Sequence, residues 1–391
     1  MSSRIGRMLS VQIFGESHGA SVGVTIDGLP AGLRLDIEKL NAFVQRRAAR
    51  SAIATARHEA DIPRIQSGLW DDITTGQPLT AIFENGDTHS SDYSFLPDRP
   101  RPGHADYPAI MRSLGNDDLR GSGHHSGRLT LPYVFAGGVA MQLLETQGIR
   151  IAAHVCQLGD GDADVINWVE PDMDALFECH KRPIPTVDPA IGERMQQQIL
   201  KAKEEQDSMG GVVECVAAGV PAGLGSPFFE GVESVMANYL FSIPAVKGVE
   251  FGAGFTAASM RGKGYNDPYA MKDGQVVTTR NNAGGLLGGI TNGMPIIARA
   301  AFRPTPSIAQ EQHTISLSEK ADTTLAVHGR HDPCVVIRAV RVHVGRPCGK
   351  SLVGKTRGKT IDALINGADC VTLLLPLWRK AQVHARIRDE D

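Results

Sequence analysis

The chain has 391 residues, 42% of them hydrophobic and 21% charged, with a net charge of −3 at neutral pH. That length allows one large core or two domains, and that charge gives no global reason to bind nucleic acid or an anionic membrane. The six cysteines are scattered without a CxxC, which reads as reduced thiols in a cytoplasmic protein; the opening residues lack the apolar core of a signal peptide, and no run reaches membrane-spanning length.

The first apolar run, SVQIFG (residues 10–15), predicts a strand that ends in a turn carrying His18 between Gly15 and Gly19. VGVTIDGLP (22–30) predicts a second strand. DIEKLNAFVQRR (36–47) places Ile37, Leu40 and Val44 on one helical face, with Asp36 as N-cap. After two loops rich in Arg, Gly and Pro, LPYVFAGGVAMQLLETQG (131–148) reads as a mostly apolar helix stopping near Gly148. GERMQQQILKAKEEQD (192–207) reads as a polar surface helix, and GGVVECVAAGVP (210–221) and MPIIARAAF (294–302) as strands. Strands and helices without regular βαβ spacing predict an α+β fold, built as one large domain over residues 1–340. Residues 341–391 differ: they hold ten Lys or Arg against five Asp or Glu, a divergent basic tail.

Metal binding finds little support. His124 and His125 are adjacent, so their side chains diverge on an extended segment. DGDADVIN (160–167) begins like a calcium loop but has Val165 where the turn needs Gly and Pro171 where it needs Glu. GAGFTA (252–257) imitates part of a dinucleotide fingerprint, yet SMRGKGYNDP (259–268), where a helix would be needed, reads as loop. Anion binding has more behind it. Arginine sits beside Gly or Pro in RPRPGHAD (99–106), LRGSGHHSGR (119–128), RPTPS (303–307) and GRHDP (329–333). Glycine lets main-chain N–H groups converge on phosphate oxygens, and arginine adds a forked donor. His18, His104 and Asp332 lie in or beside these loops, where imidazoles can exchange protons near neutrality. The residues alone reach an enzyme that acts on a phosphorylated small molecule by histidine acid–base chemistry.

FGESHGASVGVTIDGLPAG (14–32), RPGHADY (101–107), RGSGHHSGRLT (120–130), FSIPAVKGVEFGAGF (241–255), NNAGGLLGGITNGMPI (281–296) and GRHDPCVV (329–336) resemble, in order, the signatures of the chorismate synthase family. The resemblance implies a β-α-β sandwich with internal pseudo-symmetry, assembled as a homotetramer. It implies a lyase that eliminates phosphate from 5-enolpyruvylshikimate 3-phosphate in an anti 1,4 sense, giving chorismate for aromatic amino acid biosynthesis. Reduced FMN is required without net redox change, and some members also bind NADPH. The family's catalytic positions fall on His18, His104 and Asp332. Its flavin contacts fall on His124, His125, Ser126, Ala245, Gly288, Arg303, Pro304, Thr305, Pro306, Ser307 and Arg330. Its basic loop near substrate and NADPH falls on Arg46 and Arg50.

Two departures stand out. The basic loop reads QRRAARSA (45–52) without the family's Pro-Gly, and after DPCVVIRAV the expected apolar helix is replaced by RVHVGRPCGKSLVGKTRGKT. The abrupt switch reads as a shifted reading frame. A competing reading is therefore a non-catalytic homologue that binds flavin or anion and has a defective C-terminus; another is a different phospho-lyase on the same scaffold.

Overall fold

The structure, a computed structural model, describes residues 3–6, 8–47, 59–88, 90–327 and 332–340; the basic tail, 341–391, lies outside the described residues. Seven strands, with one helix between the third and fourth, make up the first part: β1 (Arg4–Ile5), β2 (Ser10–Gly15), β3 (Ser21–Asp27), β4 (Arg64–Ser67), the short hairpin β5 (Leu69–Trp70) and β6 (Ile73–Thr74), and β7 (Leu79–Glu84). Alternation builds the sheet: in β7, Leu79, Ala81 and Phe83 are buried while Thr80 and Ile82 are only partly so. The antiparallel order is β1-β2-β3-β7-β4.

Helix α1 (Ile37–Gln45) starts where expected, with the Asp36 carboxylate accepting from the Lys39 N–H at 2.8 Å. After α2 (Asp106–Ser113) comes α3 (Thr130–Glu145), buried on nearly every face. Its composition is apolar all round because it lies between two sheets, against β2, β3 and β7 on one side and β8 (Arg150–Leu158) on the other. Gly138 permits this: a Cβ there would fall 2.5 Å from Leu40 Cδ1 of α1. Buried Gln142 of α3 accepts from Asp36 N–H at 2.8 Å and donates to Asp36 C=O at 3.0 Å, clasping the start of α1.

The second sheet is interleaved with α4 (Met173–Glu178) and α5 (Pro189–Glu204). It joins β8 to β9 (Gly211–Ala218), and then, after α6 (Val232–Phe241), β10 (Val246–Phe251). A helical turn, α7 (Gly262–Tyr265), occupies part of the stretch read as loop after GAGFTA. Hairpins β11 (Tyr269–Lys272)–β12 (Gln275–Thr278) and β13 (Leu286–Leu287)–β14 (Ile290–Thr291) precede β15 (Ile296–Phe302). A last hairpin, β16 (Gln312–Ser316)–β17 (Ala321–Leu325), leads to α8 (Val336–Val340). The second sheet is ordered β10-β15-β9-β8, and its inner face shares one apolar core with the first sheet and with α1, α3, α6 and α8. The layers are sheet, helix, sheet, as a β-α-β sandwich requires.

The two halves repeat one device. GLPAGL (28–33) and GVPAGL (219–224) each leave a sheet strand and meet a two-residue hairpin. Thr74 Oγ1 accepts from Leu33 N–H at 3.0 Å and donates to Pro30 C=O at 2.5 Å. Thr291 Oγ1 does the same with Leu224 N–H at 2.9 Å and Pro221 C=O at 2.7 Å. Leu69–Thr74 pairing in β5–β6 matches Leu286–Thr291 pairing in β13–β14. The internal pseudo-symmetry expected of the family is thus visible in hydrogen bonds.

The outer face of the second sheet carries a row of alternating charge. His154, Glu214, Arg299 and Glu250 are cross-strand neighbours on β8, β9, β15 and β10. His154 is fully buried; Nδ1 lies 2.7 Å from Asp164 and Nε2 3.1 Å from Glu214, whose other oxygen accepts from Trp168 Nε1 at 3.1 Å. Burial alone would lower the imidazole pKa, but the hydrogen bonds and charges of Asp164 and Glu214 outweigh it and raise it to about 9. Asp164 also accepts from the Val187 and Asp188 N–H groups, so this centre ties the segment ahead of α5 to the sheet.

Both features can be tested by unfolding. Thr74→Val and Thr291→Val each strand a buried donor and a buried acceptor, so each should lower the unfolding free energy by about 1–3 kcal/mol in urea titrations. Because the His154 pKa is raised, its stabilising contribution is complete below about 6.5 and is lost as pH rises through about 9. The gap in unfolding free energy between the unsubstituted chain and His154→Gln should therefore narrow between about pH 6.5 and about 9 and level off above that.

Candidate active site

The turn between β2 and β3 is held both from within and by its neighbours. Gly19 N–H donates to Glu16 C=O at 3.1 Å, and Asn85 Nδ2 donates to the carbonyls of Glu16 and Gly19 at 3.0 and 2.9 Å. Ser17 N–H donates to Gly123 C=O at 3.1 Å, which docks the turn on the glycine-rich loop. His18 stands edge-on to Tyr93, with ring centroids 5.6 Å apart, and its other side lies against the main chain of Gly121. A Cβ at Gly121 would fall 2.3 Å from His18 Nε2, and one at Gly123 would fall 1.9 Å from Asp118 C=O. Residues 121, 122 and 123 have φ of 58, 69 and 52°, so even the non-glycine Ser122 is left-handed.

Ser122 is kept there by Arg101. The Arg101 guanidinium, buried, donates from Nη2 to Ser122 Oγ at 2.8 Å and from Nη1 to Ser307 Oγ at 3.0 Å. It also forks onto Asp106, from Nε at 2.7 Å and from Nη2 at 2.7 Å, and it stacks 5.5 Å from the Tyr93 ring centre. His104 Nδ1 lies 2.6 Å from Asp106 Oδ1. Burial pushes the Asp106 carboxyl up, but hydrogen bonds and charge from Arg101 and His104 prevail and hold it well below the usual carboxylate range. For His104 burial is the largest effect and lowers its pKa; Asp106 opposes it, while Arg101 and Arg303 add to it. At neutral pH the His104 ring is therefore uncharged.

A second polar centre lies behind the loop. Arg128 donates from Nε to Asn85 Oδ1 at 2.9 Å, from Nη2 to Glu84 C=O at 3.1 Å, and closely from Nη1 to Asp61. Arg47 donates to Thr130 Oγ1 at 2.9 Å and to Gly127 C=O at 2.7 Å, and pairs with Asp61 at 3.5 Å. Burial, reinforced by Arg338 and Arg128 and opposed by Asp61 and Asp332, lowers the Arg47 pKa to about 9, so it stays charged at neutral pH. Asp332 accepts from Arg338 at 2.8 Å and neighbours Arg47 through charge. Among the described residues, the guanidiniums of Arg47, Arg128 and Arg338 are thus gathered around the carboxylates of Asp61 and Asp332.

The remaining expected positions divide. Arg303 N–H donates to Ala245 C=O at 2.9 Å; Ala245 has a left-handed φ of 74°, and burial lowers the Arg303 pKa. Pro306 faces Gly103, Thr305 C=O accepts from Ser208 Oγ at 2.6 Å, and Pro304 C=O accepts from Arg303 Nη1 at 2.8 Å. The segment 303–307 therefore lies along the His104 loop. His124 Nδ1 bonds Gly15 C=O at 2.9 Å and Nε2 bonds Ser3 Oγ at 2.9 Å, while His125 is exposed. Ser126 Oγ accepts from Arg128 N–H at 3.3 Å. Gly288 sits apart from the histidine loops, in the β13–β14 turn whose hydrogen bonds run to residues 223–232. Arg46 caps α1 and lies over Phe43, and burial lowers its pKa; Arg50 and Arg330 lie outside the described residues.

Residues that sequence reasoning passes over carry much of this geometry. Arg101 and Asp106 bracket His104 within one motif, so their spacing is a usable signal, as is Arg128 closing the glycine-rich loop. Arg47 stands one residue from the expected Arg46. Asp61 and Tyr93 leave no local signal. Among the described residues no three His, Cys, Asp or Glu are grouped to hold a metal. What the arrangement offers is one imidazole against the strained tripeptide, a second tied to it through Arg101, and a cluster of buried arginines holding the same loop: groups suited to binding an anion and moving protons beside it.

The chorismate synthase family model matches residues 9–345. Chorismate synthase of Pyrococcus abyssi is 47% identical over 340 residues, covering 87% of this chain and 94% of the relative. That of Thermococcus kodakarensis is 46% identical over 337 residues, covering 86% and 93%. That of Methanosarcina acetivorans is 43% identical over 340 residues, covering 86% and 91%. A crystal structure of a chorismate synthase superposes with a TM-score of 0.63 at 30% identity, covering 77% of this chain and 86% of the other.

Gly121→Ala and Gly123→Ala force a Cβ into His18 and into a backbone carbonyl. Each should cost about 1–3 kcal/mol in unfolding free energy, and Gly121→Ala should in addition displace the His18 ring resonances in an NMR spectrum, which Gly148→Ala, remote from the loop, should leave in place.

Proposed function

The chain belongs to the chorismate synthase family, and on that premise we propose that the His18 turn, the glycine-rich loop and segment 303–307 together receive reduced FMN and 5-enolpyruvylshikimate 3-phosphate. The protein is a phosphate-eliminating lyase acting on a small molecule, and the reaction gives chorismate. The observation that carries the assignment of residues is Arg101, which binds the His104 loop, the glycine-rich loop and segment 303–307 into one wall.

Features of this wall fit a flavin phosphate and ring. Among the described residues Thr305 Oγ1 is buried without a partner and Gly127 leaves open space where a side chain would stand, and Arg303 supplies a half-buried cation. His124, His125, Ser126, Ala245, Arg303, Thr305 and Ser307 would hold the group, whereas Gly288 stands apart from them in the β13–β14 turn. When bound, reduced FMN supplies electron density as the bond between carbon and the phosphate oxygen breaks.

The chain's own residues do the rest. The positive charge of Arg47, Arg128 and Arg338 draws the anionic substrate and steadies the departing phosphate. His104 and His18 hold and pass protons, one toward the leaving group. Asp332, held by Arg338, takes part in moving the proton lost from the substrate ring. Arg46 lies where NADPH binding is proposed; turnover with NADPH and FMN alone would support it, and dependence on an external reductant would refute it.

Exposed Phe228, Phe229 and Phe255, 86, 95 and 84% accessible, support burial between copies, and we take a homotetramer as the working state, to be checked by light scattering. Cys156, Cys179 and Cys334 are buried free thiols but Cys215 is disulfide-bonded, which corrects the all-reduced reading of the cysteines; a cytoplasmic setting is proposed from the family alone, and no helix among the described residues is long and apolar enough to cross a membrane. The family match ends at residue 345, which supports reading 341–391 as an out-of-frame tail; resequencing that finds this frame intact would remove that reading.

The deciding assay is phosphate release from 5-enolpyruvylshikimate 3-phosphate under anaerobic conditions with reduced FMN. His104→Ala and His18→Ala should each lower kcat by about 10²–10⁴-fold with the fold retained. No release from the unsubstituted chain would overturn the assignment and favour a binding protein without turnover.

A further inference from the structure

We infer that Asp106 is a positioning residue that fixes His104 as the Nδ1–H tautomer and so presents Nε2 as the working nitrogen. The inference rests on the reading that His104 acts in the reaction, and it comes from counting hydrogens. A guanidinium Nη carries two N–H donors and Nε carries one. Arg101 Nη2 spends both, on Asp106 Oδ1 at 2.7 Å and on Ser122 Oγ at 2.8 Å. Its Nε–H goes to Asp106 Oδ2 at 2.7 Å. Arg101 Nη2 also stands 3.0 Å from His104 Nδ1, but both of its hydrogens have nearer acceptors, and an unprotonated Nδ1 would set its lone pair against the Asp106 carboxylate. Nδ1 therefore has one satisfying arrangement: it carries the proton and donates to Asp106 Oδ1 at 2.6 Å. A carboxylate held this far below its ordinary range accepts and does not compete for the proton.

The same carboxylate takes Arg101 N–H at 3.0 Å, so Asp106 fixes the backbone before the histidine as well as the ring after it. The charged groups facing His104 are Asp106 and Arg101 from its own loop and Arg303 from segment 303–307. Asp106 alone among them favours the protonated ring. Without it the two arginines act unopposed, and His104 gives up its proton at lower pH.

The test has two arms. In the unsubstituted protein, selectively ¹⁵N-labelled at histidine and assigned by the signals lost in His104→Gln, His104 should show a protonated Nδ1 and an unprotonated Nε2 at neutral pH. In Asp106→Asn the tautomer should become mixed or reversed, kcat for phosphate release should fall at least about 10-fold, and the limb of the pH–kcat profile that reports His104 should move to lower pH. Asp106→Glu should recover part of kcat. Ser307→Ala, which removes a different Arg101 contact, should leave the tautomer unchanged. A protonated Nε2 in the unsubstituted protein overturns the inference, as does an Asp106→Asn variant whose tautomer and pH limb stay where they were. The spectroscopic arm needs no substrate, so it decides the inference even where phosphate release fails and the catalytic reading falls.

Discussion

The buried pair of Arg101 and Asp106 is the interaction on which the site depends. Removing both charges from water is costly, and it is tolerated because every favourable contact is made: a two-point fork, a main-chain donor, two serine hydroxyls, an imidazole and an aromatic face. Such a pair adds little net stability compared with an apolar replacement. What it secures is register among loops that are distant in sequence, since one guanidinium meets Ser122, Ser307 and Asp106 together.

Around that pair, a symmetric frame has been used asymmetrically. Thr74 and Thr291 close equivalent junctions, and the two sheets run in matching order. The connection from β2 to β3 is a short turn bearing His18; the equivalent connection from β8 to β9 is the long stretch 159–210, which covers the outer face of the second sheet and supplies Asp164 to His154. In one half the small hairpin turns through Asp71 and Asp72, and in the other through Gly288 and Gly289, all with positive φ. The frame demands the backbone conformation; each half meets it with different side chains. One histidine is thereby placed at a solvent-reachable turn and the other is sealed into a structural charge row.

The arginine centre shows why burial can serve an anion site. Among the described residues, Arg47, Arg128 and Arg338 share Asp61 and Asp332, and carbonyls of Glu84 and Gly127 together with Asn85 and Thr130 hold Arg47 and Arg128 in place. Charge fixed in a low-dielectric setting does not relax when a ligand arrives, so its attraction is available without reorganisation.

Much of the scaffold and the outline of the site could be read along the chain. The strand at 10–15, the Asp36 cap, the apolar helix ending before Gly148 and the glycine-rich loop all came from spacing and turn chemistry, which depend on residues a few positions apart. The wiring could not be read that way. That Arg47 rather than Arg46 turns inward, that Asp61 bridges two arginines, and that Ser122 and Ser307 meet on one guanidinium are outcomes of packing between segments dozens to hundreds of residues apart. Local periodicity and backbone sterics write themselves into neighbouring residues, whereas the placement of a buried charge is decided by which distant donors and acceptors can satisfy it away from water.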